Sequence, residues 1–479
     1  MASTAAISGE TENPLRLAHW LGQVDPRPLA IFRIGCGCIL LHDLFDYSRD
    51  FRAFLTDDGI VPRSILSDPA AWSIFRVAGE PWAVAALFAI TVAAELAFTL
   101  GLFTRLATVA SWVMLTSLHN RNPYILDGGD VLARILLFFA MFSDLGACWS
   151  LDTLWRGRPA GPARAIGPRL MRYHLAALYG VTAWQKFHHG NLHGDWIQGE
   201  TIYKALQLKG FVRPLGALLG THPAICAALT RTVIFLEAAF PLLALSPFAV
   251  KRARAGAMVA NALVQLGILM TLRVGIFTEL TLWTGMLYLQ PEWLDALERW
   301  MKRGREAPLS SAAWANRTLA PASAAQMVLA ALLVLQLASA DLGWVTHLRQ
   351  PRFALIWRHW LGIDQPWDLF GEISSVIEWE APGRREDGTP VDVLAVAEPG
   401  LVAQVRVRFS RWYIFEEPDR HTHFETLGPY LCRAFDEADH GPRLQSFTLV
   451  RHSHPPRASQ GPEPPVTSET LWVQECPHP

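Results

Sequence analysis

Charge is scarce in this 479-residue chain: Asp, Glu, Lys and Arg make up 18% of it, against about 25% in an ordinary soluble domain. Lysine is scarcest, with 5 residues against 37 arginines. A net charge of -1 excludes the basic footprint of a nucleic-acid binder. Six cysteines are too few for a disulfide-stapled scaffold of this length. Glycine and proline, 34 and 32 without a period, exclude a collagen-like fibre. What is plentiful is apolar side chain, at 51%, which excludes a disordered chain. The mean hydropathy of +0.19 is nevertheless too low for a protein embedded in lipid throughout. A membrane region joined to a soluble one reconciles the two numbers.

The join falls near Trp344. A bilayer needs about 20 mostly apolar residues per helix, and windows of that kind recur at 29–46, 81–103, 105–119, 130–149, 169–187, 230–249, 252–272, 275–290 and 322–344. The expected fold is therefore an all-α polytopic membrane bundle of about nine transmembrane helices over 29–345. A polar segment, 1–28, precedes it, and a C-terminal extramembrane α+β domain over 351–479 follows. Residues 1–28 show no apolar h-region, so the first span is expected to act as an uncleaved anchor. Leu206 to Leu229, interrupted by Gly210, Pro214, Gly220 and Pro223, reads as an interfacial or re-entrant piece.

Basic residues in alternate loops set the orientation. Arg156, Arg158, Arg164 and Arg169, then Lys251, Arg252 and Arg254, then Arg299, Lys302, Arg303, Arg305 and Arg317 all fall on one side. That side is expected to be cytoplasmic, with the N-terminus on it and the C-terminal domain outside. The loop after the first span opposes this with Arg49, Arg52, Arg63 and Arg76, but it is long and also carries Asp50, Asp57, Asp58 and Asp68. An echo links Glu95-Leu96-Ala97-Phe98 to Glu237-Ala238-Ala239-Phe240, each ahead of a basic turn and another span, as in a parallel repeat.

In the C-terminal domain, Val391 to Val396 and Val405 to Phe409 read as strands, His423 to Ala438 as a helix, and Phe447 to Val450 and Leu471 to Gln474 as closing strands. Pro455 to Pro465, rich in Pro, Gly and Ser, reads as a flexible connector. Cys432 and Cys476 are the only cysteine pair there, free or bonded. Cys36, Cys38, Cys148 and Cys226 look like small apolar fillers in the bundle.

Four polar tracts fall on the expected outer face. They are Thr56-Asp57-Asp58-Gly59-Ile60-Val61-Pro62; His119-Asn120-Arg121-Asn122-Pro123-Tyr124 with Asp127-Gly128-Gly129-Asp130; Trp184-Gln185-Lys186 through His188, His189 and His193 to Gly194-Asp195-Trp196; and Asp364-Gln365-Pro366-Trp367-Asp368-Leu369-Phe370. Their order and content resemble the horizontally transferred transmembrane (HTTM) domain family, which includes the vitamin K-dependent γ-glutamyl carboxylases. The resemblance covers nearly the whole chain.

In those carboxylases a lysine shortly before an Asp-Trp pair deprotonates reduced vitamin K. Oxygen then turns the quinol into a strong base that removes a γ-proton from glutamate, carbon dioxide captures the carbanion, and the vitamin leaves as its epoxide. The resemblance puts Lys186 in the lysine's place and implies reduced vitamin K or menaquinol as cofactor. Independently, a desolvated lysine can serve as a neutral base where an arginine stays charged; the alternative is a lysine snorkelling to headgroups. The carboxylases also use a histidine in the loop between the third and fourth spans. Here the tract offers His119, but the position in register is Asn122, a departure from the pattern. Arg121, Asn122 and Asp130 are left to orient a quinol or a carboxylate, or to cap and fold the loop around Pro123. Asp57, Asp58, Trp184, His188, Trp196 and Trp367 complete the expected binding set.

His189 and His193 are four apart, but Gly190 and Gly194 interrupt any helix and no carboxylate or Cys completes a metal motif, so no metal is expected. Glu95 and Glu237, ionisable inside spans, are functional candidates by default; structural pairing with Arg105, Arg231 or tryptophan N–H groups is the favoured reading. Two further functions stay open besides a carboxylase-like enzyme: a maturation or export factor for a secreted peptide, and a quinone- or lipid-binding membrane protein without turnover. Membrane lipid is the expected partner, with a secreted peptide or protein as substrate. The bacterial inner membrane is the expected location.

Overall fold

The computed structural model describes residues 20, 22–66, 71–157, 161–188, 194–301, 373, 375–397, 411 and 424–477. The bundle is built from α1 (Arg27–Arg49), α2 (Pro81–Leu100), α3 (Thr104–Arg121), α4 (Gly128–Ala140), α5 (Ile166–His188), α6 (Pro223–Ala244), α7 (Val250–Thr271) and α8 (Phe277–Thr284). An amphipathic helix, α9 (Pro291–Met301), closes it. Among the described residues four helices, α1, α2, α6 and α7, are long and apolar enough to cross a membrane. The expected span at 130–149 is helical only to Ala140, and that at 275–290 is the eight-residue α8 followed by a 3-10 turn. The expected span at 322–344 lies outside the described residues.

Two positions decide where helices turn. Gly101 ends α2 in the left-handed region at φ 69°, its N–H reaching the carbonyls of Ala97 and Phe98, as a glycine cap does. Gly129 lets α4 approach α8 closely, since a Cβ there would lie 2.7 Å from the backbone nitrogen of Phe277. Pro223, read above as an interruption, instead opens α6, where its missing N–H has no cost. Residues 206–222 of that stretch stay outside α6, with a short helix at Pro214–Gly220.

α4 is buried on all sides, while α2, α6 and α7 leave large apolar side chains exposed, among them Ile90, Leu96, Phe235, Leu242, Leu263 and Met270. Exposed rows of this kind suit lipid contact. The two halves echo one another in packing as well as sequence. Pro81 and Pro223 each open a helix with a buried glutamate at its fifteenth position, Glu95 or Glu237, and a buried phenylalanine at its eighteenth, Phe98 or Phe240. Each helix packs against the one before and after it in its half, α1 and α3 or α5 and α7. Both following helices start from a non-glycine residue at φ 45°, Phe103 and Ala249.

The C-terminal domain is an antiparallel sheet of β1 (Val376–Glu380), β2 (Pro382–Arg385), β3 (Pro390–Asp392), β4 (Leu444–His454) and β5 (Thr467–Glu475), with α10 (Phe424–Ala438) packed on it. β4 is central, pairing with β1, β2 and β5. The strand expected at 391–396 is only partly one: β3 ends at Asp392, and Val393–Ala397 forms a helical turn. Asp392 accepts hydrogen bonds from the N–H groups of Leu394 and Ala395, which caps a helix rather than extending a strand. The strand expected at 405–409 lies outside the described residues.

A Cys432–Cys476 disulfide ties α10 to the end of β5 across 44 residues. Closing a loop of that length removes about 4 kcal/mol of denatured-state entropy. Replacing both cysteines with serine is therefore expected to lower the melting transition of this domain by several degrees, followed through the fluorescence of Trp379 and Trp472. An unchanged transition would show that packing of α10 suffices without the bond.

Candidate functional site

The described polar tracts form three groups. The first is a loop clamp. Asp57 accepts from the backbone N–H of Arg63 at 2.9 Å and from its Nε at 2.8 Å, and Arg121 Nη2 lies 3.3 Å away. Burial tends to raise the Asp57 carboxyl, but the Arg63 hydrogen bonds outweigh it and hold the group below its ordinary range. Arg121 also donates to the Val61 carbonyl at 2.8 Å, and Asn122 to the Phe54 carbonyl at 3.1 Å. Arg121 and Asn122 thus stitch the loop between α1 and α2 to the end of α3. Asp58 is half exposed beside Arg52.

The second group is a buried ionic cluster. Asp130, whose carboxylate closes a capping box with Asp127 at the start of α4, faces His119 of α3, with Nε2 to Oδ1 at 3.3 Å. Arg411 enters from beyond the bundle. Its Nη1 donates to Asp130 Oδ2 at 2.8 Å and to the Ile125 carbonyl at 3.0 Å. Its Nη2 donates to Asp43 Oδ1 of α1 at 2.6 Å and to Asp130 Oδ1 at 3.0 Å. The guanidinium lies over the Tyr47 ring, 3.7 Å from its centroid, and that ring in turn stacks on His119. Every member is buried. Asp43 Oδ2, Tyr47 OH and both His119 ring nitrogens make no hydrogen bond among the described residues. Asp43, His119 and Asp130 offer donor atoms within 4.8 Å of one another, as a metal requires, yet Arg411 already engages both carboxylates.

The third group surrounds Lys186 near the end of α5. Its Nζ meets both Glu237 oxygens at 2.6 Å and sits 4.2 Å from the centroid of the Trp196 ring. The two side chains are 5% and 8% exposed, so Lys186 does not snorkel to headgroups. The favoured partners for Glu237 and Glu95 are not the ones found. Glu237 takes Lys186, Arg231 donates to the Gln198 carbonyl, and Arg105 pairs with Asp144. Glu95 is fully buried, with Ser111 beside it.

The expected set is therefore divided. His119 and Asp130 share one cluster, Asp57, Arg121 and Asn122 another, and Lys186 and Trp196 a third. Trp184 turns outward, 44% exposed. His188 is the last residue of α5, and Trp367, His189 and His193 lie outside the described residues. Asp43, Tyr47 and Arg411 were not among the candidates. An aspartate inside the first apolar window was the available signal for Asp43; nothing local marks Tyr47 or Arg411.

A bundle with apolar helices facing outward and ionic clusters inside defines a polytopic membrane protein. A family model described as the HTTM domain matches residues 22–293, more than half of the chain, and the chain belongs to that family. Neither the curated proteins nor the solved structures searched gave a match.

Proposed function

We propose that this HTTM-domain protein is a carboxylase-like membrane enzyme that couples oxygenation of a quinol to modification of an acidic substrate. The observation that carries the reading is the buried Lys186–Glu237 pair, with the Lys186 ammonium over the Trp196 ring. An amine, a carboxyl group and an indole face within an apolar bundle suit a flat aromatic ring bearing an ionisable hydroxyl, so a reduced vitamin K or menaquinol fits the chemistry of these residues. When bound, the quinol would supply the reducing equivalents and, with oxygen, the strong base of the reaction. Glu237 can hold the proton that Lys186 gives up, which leaves a neutral amine to take the hydroxyl proton of the quinol. The ammonium so formed would stay beside the Trp196 ring. Asp57, Asp130 and the residues around them would hold the loops between the helices in place.

The finer topology belongs to the same proposal: about nine spans, the N-terminus cytoplasmic, and the C-terminal domain outside a bacterial inner membrane. The Cys432–Cys476 disulfide supports an oxidising compartment for that domain.

The test is to incubate the purified protein in detergent with a reduced naphthoquinone and oxygen and to assay epoxide. Lys186→Ala should lower its formation by about 100-fold or more, the scale of a lost general base. Lys186→Met combined with Glu237→Gln controls for folding. Absence of epoxide from folded wild type rules out the enzyme reading, and quinol binding without turnover would assign the non-catalytic one. Labelled carbon dioxide with a glutamyl peptide then tests the carboxylation half.

A further inference from the structure

The walls of the ionic cluster, Asp43, Tyr47, Ile125 and Asp130, all belong to the 22–293 region, whereas the group that fills it, Arg411, does not. We propose that these walls form a guanidinium-recognition site in the bundle, which Arg411 occupies in cis as a tethered ligand. The class of ligand it takes is a planar, charged, hydrogen-bonding cation: an arginine side chain, or free guanidinium when Arg411 is removed.

The geometry distinguishes a guanidinium from other cations. Two nitrogens of the fork divide four hydrogen bonds between two carboxylates and a carbonyl, while the flat face lies on the Tyr47 ring. A lysine ammonium is a point charge without a planar face and cannot match both demands together. Charge makes the occupant obligatory, because two buried carboxylates without a cation are costly. Among the described residues, Asp43 Oδ2 and Tyr47 OH make no hydrogen bond around the filled cage. Truncating Arg411 would free the space of its guanidinium beside these groups, and a small planar cation would bind there.

The same contact joins the C-terminal region to the bundle. It acts beside Thr426, which donates to the Ile60 carbonyl at 2.6 Å, and Arg433, which donates to the Asp58 carbonyl at 2.7 Å. Filling or vacating the cage thus bears directly on how the outer domain is held over the bundle.

The test uses the full chain in detergent. Arg411→Ala should lower the melting temperature by roughly 10 °C, as expected on breaking a buried ion pair. Low-millimolar methylguanidinium should restore at least half of that loss, saturably, and leave the wild type unchanged. Methylammonium at the same concentration should restore little, and adding Asp43→Asn should abolish the rescue. No saturable rescue, equal rescue by methylammonium, or rescue by Mn²⁺ alone would each overturn the proposal, the last in favour of a metal site on Asp43, His119 and Asp130. Should Arg411→Ala fail to accumulate, the Asp43→Asn/Arg411→Ala protein should accumulate, since one unpaired carboxylate has been removed. Equal failure of both would count against the cage.

Discussion

Glu237→Ala is expected to destabilise the protein by about 3–5 kcal/mol, the usual cost of stranding one member of a buried ion pair. Glu237 is the hydrogen-bonded partner of Lys186, on both oxygens, and neither side chain reaches solvent to an extent that would rescue it. Among the described residues the stranded ammonium would keep the Trp196 ring, worth about 2 kcal/mol at best when desolvated. Replacing both residues with apolar ones of similar size, Lys186→Met with Glu237→Leu, should bring stability back near wild type, because the desolvation penalty disappears with the charges. The measurement is a double-mutant cycle in detergent unfolding. A strictly additive cycle would mean that the pair does not interact in the membrane-embedded protein. The same cycle separates folding from chemistry: the double variant should be stable and yet make no epoxide.

The second large effect falls on Asp130. Alanine there removes the carboxylate that Arg411 grips with two nitrogens, the neighbour of His119 and half of the capping box that starts α4. The ion-pair loss is about 3–5 kcal/mol, and the cap adds about 1 kcal/mol. Asp130→Asn keeps the shape and one acceptor and should lose less. In an Arg411→Ala background, Asp130→Ala should cost little beyond the cap, since its partner is already gone. The measured quantity is thermal or denaturant unfolding of the four proteins. An Asp130→Ala penalty of the same size in both backgrounds would place the energy in α4 itself and not in the cluster.

Much of the bundle can be read directly along the chain. The eight described helices α1 to α8 overlie eight of the nine apolar windows, because burial against lipid or core demands long apolar runs wherever they fall. The ordered polar tracts also pointed at the family, whose model matches residues 22–293. Helix ends were harder. Pro223 serves equally as a breaker and as a first residue, and only the packing of α6 on α5 and α7 decides between them. Val393 to Val396 looks like strand from its β-branched residues, yet the Asp392 cap turns it into a helix.

The site divides in the same way. That a charged residue inside an apolar window needs a partner follows from the cost of burying charge, and it marks Glu95, Glu237 and Asp43 without any structure. Which partner each one finds does not follow. Asp43 and Arg411 are separated by 368 residues and Lys186 and Glu237 by 51, and no local period or spacing encodes contacts of that reach. Composition and apolar periodicity mark a membrane protein and where the helices of its bundle run, because those depend on burial averaged over many residues. The pairing of Lys186 with Glu237 and the seating of Arg411 between Asp43 and Asp130 depend on single atoms brought within hydrogen-bond distance, and only the folded chain in three dimensions places them there.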